Sequence, residues 1–174
     1  MVKVNLTDED LAPRGENNYF NEGVHEVLID SAKRGKTDAG KEYVEFIVKG
    51  ENGESDTARL WFTTEKSCKY ALSILAGIAS HNKESEADKQ KVRDAFKQIT
   101  DTDQVDDKFL AKFENDHAFF TVYKSDRTYE KDGETKHSYD KNIYGYSPKP
   151  KTDLVANAMK QDTSNIDLSE IPFN

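Results

Sequence analysis

A single cysteine, Cys68, in 174 residues leaves the chain without an internal disulfide. The four histidines, His25, His81, His117 and His137, stand apart from any second ligand at metal spacing, so no structural zinc is expected. The longest apolar stretch, Ala71 to Ala79, is far too short to span a bilayer, and an N-terminal segment carrying Asp8, Glu9 and Asp10 does not read as a signal peptide. These absences predict a cytoplasmic protein with no membrane contact and no cofactor. No local catalytic signature is present either. Gly35 to Glu42 nearly spells a phosphate loop, but Glu42 replaces the Mg²⁺-binding hydroxyl and the segment leads into a strand instead of a helix. Asp101, Asp103, Asp106 and Asp107 resemble a calcium loop that lacks its glycine and has Lys112 where the bidentate glutamate belongs. The expectation is a protein that is not an enzyme.

What is present is charge, unevenly spread. The net charge of -8 argues against phosphate binding, which is driven by Lys and Arg displacing counterions. Its distribution argues the other way. Ser31 to Lys41 holds Lys33, Arg34, Lys36 and Lys41 against Asp38 alone, and Lys124 to Lys151 holds seven cations against five acids. The N-terminal segment, the stretch from His81 to Asp116 and the C-terminal segment are each acidic on balance. With 35% hydrophobic residues the chain can bury one core, which predicts an arm over 1–20, one domain over 21–147 and an acidic tail over 148–174.

The domain is organised around Lys41 to Phe62. Val44, Phe46 and Val48 alternate with Tyr43, Glu45 and Ile47, and beyond Asn52-Gly53 the set Ala58, Leu60 and Phe62 alternates with Arg59 and Trp61. Asn-Gly suits a type I′ turn, so the pattern predicts a hairpin. If the aliphatic sets face a core, the other face presents Tyr43, Arg59 and Trp61. That is an unusual composition for a merely solvated surface.

Gly23 to Asp30 reads as a preceding strand, with Val24 and Leu28 competing against Val27 and Ile29 for the inward face. Ser31 to Gly40 reads as a basic connection. Thr63 or Thr64 is placed to cap a helix with the stripe Tyr70, Ile74, Leu75 and Ile78, Ser85 to cap a second helix, and a third is expected over Val105 to Asn115. His117 to Lys124 and Lys136 to Tyr146 complete a set of five strands, joined by a charged hairpin with Asp132-Gly133 at its tip. The fold class expected is mainly β with a helical insertion: a five-stranded OB-fold barrel with two or three helices between strands 3 and 4.

In such a barrel oligonucleotides lie on strands 2 and 3 and the flanking loops, and the two basic segments coincide with those loops. Bases stack on aromatic rings while cations follow the phosphates. The candidate DNA-binding residues are therefore Lys33, Arg34, Lys36, Lys41, Tyr43, Arg59, Trp61, Tyr123, Lys124, Arg127, Lys136, Tyr144 and Tyr146. The alternative is a protein-interaction module that uses the same aromatic face of a small β-barrel to bind a polypeptide.

The tail adds a resemblance. Asp167, Glu170, Ile171, Pro172 and Phe173 resemble the acidic, Ile-Pro-Phe-ending tip of bacterial and phage single-stranded DNA-binding proteins, although here Asn174 follows the phenylalanine. The body from about Tyr19 to Phe62 and from His117 to Tyr146 is similar in pattern to phage and prophage members, including Tyr19-Phe20-Asn21-Glu22-Gly23 ahead of the first strand. The resemblance implies sequence-independent binding and protection of single-stranded DNA in phage or mobile-element replication, recombination and repair, inside a bacterial host. It implies partner recruitment by the tip, and leaves homo-oligomerisation open. The helical stretch from Glu65 to Asp116 lies outside it.

Overall fold

The computed structural model describes residues 1–7 and 18–149. Its elements are β1 (Gly23–Lys36), β2 (Glu42–Lys49), β3 (Ser55–Trp61), α1 (Glu65–His81), α2 (Glu86–Lys97), α3 (Asp107–Leu110), β4 (His117–Lys131) and β5 (Glu134–Tyr144), with 3₁₀ turns at Thr102–Gln104 and Ala111–Phe113. The fold is mainly β, with all three helices between β3 and β4. The strands form one antiparallel sheet in the order β3-β2-β1-β4-β5. Residues 150–174 of the expected tail, with its tip residues Asp167 to Phe173, lie outside the described residues, as do 8–17 of the arm.

β1 is the spine of the sheet. Its first half pairs with β4, from Gly23 opposite Val122 to Leu28 opposite His117, and its second half pairs with β2, ending at Lys36 opposite Glu42. Between Ile29 and Ser31 the register shifts, leaving Asp30 as the extra residue of a bulge. A bulge bends a strand and resets its alternation. Val27 and Ile29 therefore face the core before it and Ala32 after it, while Leu28 is exposed. The bend curls the sheet until its edges approach, and Lys141 of β5 reaches Asp56 of β3 at 2.8 Å. Among the described residues no ladder joins β3 to β5, so the sheet is open along that seam.

The inward set Val44, Phe46, Val48, Ala58, Leu60 and Phe62 is buried as the alternation predicts. Several local expectations are corrected. Ser31 to Gly40 is not all connection: the ladder with β2 continues through Lys36, and only Thr37 to Lys41 turns, with the Thr37 N–H donating to the Lys41 carbonyl at 2.9 Å. Asn52-Gly53 does not make a two-residue type I′ turn. Lys49 and Ser55 are the last pair, the Gly50 N–H donates to the Glu54 carbonyl, and of the residues between only Gly53 has a positive φ, +79°. The I′ signature occurs at Asp132-Gly133 instead, where φ is +55° and +76° between the paired Lys131 and Glu134.

α1 starts in a capping box, with the Thr64 side chain accepting from the Ser67 N–H and Ser67 Oγ accepting from the Thr64 N–H. Leu75 and Ile78 are buried as expected and Ile74 packs against the core, but Ala71 completes the buried line in place of Tyr70, which is exposed. Gly145 lets the chain leaving β5 rest directly on α1, since a side chain there would collide with the Gly77 main chain. α2 begins at Ser85 as expected but buries no residue completely. The expected third helix shrinks to one turn capped by Asp106. The chain then tightens into 3₁₀ geometry and stops at Asn115, whose φ of +69° no α-helix contains.

Candidate functional site

Strand register builds the outer face of β1, β2 and β3 in rows. Gly35, Tyr43 and Trp61 form one row; Lys33, Glu45 and Arg59 form the next. Their order explains the geometry. Gly35 has no side chain, and a Cβ there would meet the Tyr43 ring at 2.5 Å, so the ring lies across the β1 backbone. Above it sits the Arg59 guanidinium, 4.2 Å from the Tyr43 centroid and 6.0 Å from that of Trp61. Glu45 holds it there, with Arg59 Nε donating to Glu45 Oε2 at 2.8 Å. That bond pushes the Arg59 pKa further up, so the charge is permanent. Tyr43 and Trp61 meet edge to face at 5.4 Å. Trp61 is 38% exposed and available to a ligand.

Beyond Trp61 this face opens into a groove of about 690 Å³ along the seam between β3 and β5. Arg59 and Trp61 stand on one bank. Tyr123 and Arg127 of β4 and Tyr139, Lys141 and Tyr144 of β5 stand on the other, and Tyr70 of α1 and Lys149 close one end. The groove thus gathers five aromatic rings and four cations from three strands, one helix and the segment after β5. Arg59 pairs with Glu45, Arg127 with Asp140 at 2.9 Å, and Lys141 with Asp56 at 2.8 Å. At the floor Thr121 is 1% exposed and its hydroxyl has no partner among the described residues.

The expected site residues divide into those the fold brings together and those it does not. Arg59, Trp61, Tyr123, Arg127 and Tyr144 line the groove, and Tyr43 and Lys33 continue the surface across β2 and β1. Lys36 and Lys41 are exposed at the β1–β2 turn. Arg34 is corrected. It follows Ala32 onto the inward side, where its guanidinium lies 4.6 Å from the Phe62 centroid and bonds the Thr102 carbonyl and Glu42. Its main-chain N–H donates to Asp107, so Arg34 ties the helical segment to β1 and is not carried into the site.

Lys124 and Lys136 are exposed on the β4–β5 hairpin, opposite Tyr139 and Tyr129, away from the groove lining. The outer part of that hairpin, Asp126 to Ser138, holds Asp126, Glu130, Asp132 and Glu134 against Arg127, Lys131 and Lys136. The positive excess expected of this connection is therefore absent from its tip. Tyr146 packs toward α1, its ring 6.1 Å from that of His81.

Tyr70, Tyr139, Lys141 and Lys149 are groove residues that sequence reasoning missed. Tyr70 carried a signal, since Ala71, Leu75 and Ile78 make an i, i+4, i+7 line that leaves Tyr70 outside it. The β5 residues carried none, because they reach the groove only through the curl of the sheet. No protein-family model matches the chain, and no curated protein matches it.

Proposed function

We propose that the chain is an OB-fold protein that binds single-stranded DNA without sequence preference, coating exposed strands during replication or recombination of a phage or mobile element. The observation that carries this reading is the Tyr43–Arg59–Trp61 platform continued by a tyrosine-lined groove. Flat rings and a guanidinium plane accept any base, and each stack is typically worth ~1 to 3 kcal/mol. The mainly β chain with five antiparallel strands and its helical segment between β3 and β4 support an OB-fold reading, in which β2 and β3 would carry the ligand. Under this reading bases cross Tyr43, Arg59 and Trp61 and enter the groove toward Tyr70 and Tyr144, with Lys33, Lys36 and Lys149 beside the phosphates.

Trp61 is the only tryptophan, so its fluorescence reports on the platform alone. Adding oligo-dT quenches it at low salt, and rising salt reverses the quenching. No quenching together with no mobility shift refutes the reading. The tail, in the same proposal, recruits replication, recombination or repair proteins through Asp167, Glu170 and Ile171 to Phe173. Truncation after Ser169 then leaves strand binding intact or tighter and removes partner capture; unchanged capture refutes that role.

One observation favours a polypeptide ligand instead. The edges of β3 and β5 flank the groove without a ladder between them, and an extended peptide could hydrogen-bond to either. Absence of oligo-dT binding by the full chain at low salt would turn the assignment toward this alternative.

A further inference from the structure

Arg59, Arg127 and Lys141 are neutralised in two different ways. Lys141 is held by Asp56, whose side chain is 3% exposed and whose second oxygen has no partner among the described residues. Releasing that lysine would strand a carboxylate in the core, so this pair is fixed. Arg59 and Arg127 are held by acids that stay in water: the Glu45 side chain is 33% exposed and that of Asp140 is 50% exposed. Exposed pairs contribute little to stability and separate easily.

Register sharpens the case for Glu45. It stands between Lys33 and Arg59 in one row across three strands, directly beside the Tyr43–Trp61 row. Among the described residues Glu45 is also the only hydrogen-bond partner of the Arg59 side chain. A strand whose bases stack on that row brings its phosphates within reach of this arginine. A guanidinium forms charge-assisted bonds with phosphate as readily as with carboxylate, so the two anions compete for one cation.

We propose that Glu45 is a built-in competitor for the phosphate backbone, occupying Arg59 until a strand arrives and then yielding it, and that Asp140 does the same at Arg127. This rests on the single-strand reading of the same groove. It accounts for an acid in the middle of the aromatic face. In the free protein the guanidinium is held flat and its charge masked; in the bound protein the released carboxylate is solvated and repels the phosphates nearby. Affinity and its salt dependence are therefore both lower than the groove's cations alone would give.

Glu45→Gln separates competition from positioning, because the amide oxygen still accepts from Arg59 Nε while the negative charge is gone. Binding of fluorescein-labelled oligo-dT is measured by anisotropy for the full chain, E45Q, D140N and E114Q across a salt series. Glu114 is an exposed acid of the helical segment and controls for net charge. The expected result is roughly 2- to 5-fold tighter binding for E45Q and for D140N, with no change for E114Q. The slope of log K against log salt steepens by up to about 0.7 for each of the two groove variants. Equal or weaker binding by E45Q, or equal tightening by E114Q, overturns the inference while leaving the strand reading intact. Absence of binding by the unaltered chain at low salt overturns the strand reading and this inference with it.

Discussion

Gly35, Tyr43, Arg59 and Glu45 form a stack in which each residue fixes the next. The missing side chain of Gly35 lets the ring lie down, the ring supports the guanidinium, and the carboxylate orients it. The outermost plane is therefore arginine, which makes shape as important as charge. Under the proposed strand binding, R59K keeps the cation but not the plane, so the expected result is a loss of oligo-dT affinity nearly as large as for R59A, about 10-fold or more. Binding by R59K within twofold of the unaltered chain would show that only the charge matters. Asp116 supplies a residue-scale test of stability. Its burial raises the carboxyl pKa, against opposing fields from Lys83 and His117. The folded state then holds that proton more tightly than the unfolded chain, so ionised Asp116 costs stability above the carboxylate range and the cost is relieved as pH falls through the raised pKa. D116N raises Tm at neutral pH, and its advantage shrinks toward about pH 3.5. A pH-independent difference in thermal melts would contradict this. Of these residues, the sequence showed Tyr43, Arg59 and Trp61 on one face but not that Glu45 is their organiser, because a cross-strand partner depends on register.

At the scale of elements, caps were legible and turns only partly so. Thr64 and Ser67 satisfy each other's main-chain donors at the start of α1, a bond pattern local enough to read from four residues. T64A removes one half of the box and lowers unfolding free energy by about 1 kcal/mol, seen as a lower urea midpoint with an unchanged slope. An unchanged midpoint would mean that packing of Ala71, Leu75 and Ile78 alone starts the helix there. The two turn dipeptides have similar chemistry, yet only Asp132-Gly133 closes a two-residue hairpin. At Asn52-Gly53 the loop is wider and strapped from outside, with the Ser55 N–H donating to the Asn18 carbonyl and Asn18 Nδ2 to the Asn52 carbonyl. No neighbour in sequence announces that strap. At Ile29-Asp30-Ser31 the strand-poor Asp30 reads as a strand end, and only pairing with β2 shows that it is a bulge with the strand continuing past it.

For the whole molecule the decisive feature is the bend of β1, which carries β3 and β5 toward each other and opens the groove between them. Lys141 and Asp56 span that seam. K141M leaves the buried Asp56 without its cation and costs about 2 kcal/mol, the buried-pair figure reduced because the lysine is partly exposed. D56L/K141M recovers most of the loss, since an apolar pair of similar volume needs no desolvation. A double variant as unstable as K141M would mean that the seam needs an ion pair rather than a filled space. The sequence by itself determined the two faces of the β2–β3 hairpin, the strand order along the chain, the helix starts and the single core. These follow from side-chain period and local capping, which a chain carries wherever it folds. Tertiary structure decided which residues converge: that Arg34 turns inward, that Tyr70, Tyr139 and Lys141 join Trp61 at one groove, and that groove cations meet acids from neighbouring strands. Those outcomes depend on two strand irregularities, the bulge at Asp30 and the register shift between Lys124 and Thr128, and on the curl of the sheet, which are set by packing over the whole core and leave no local period to read.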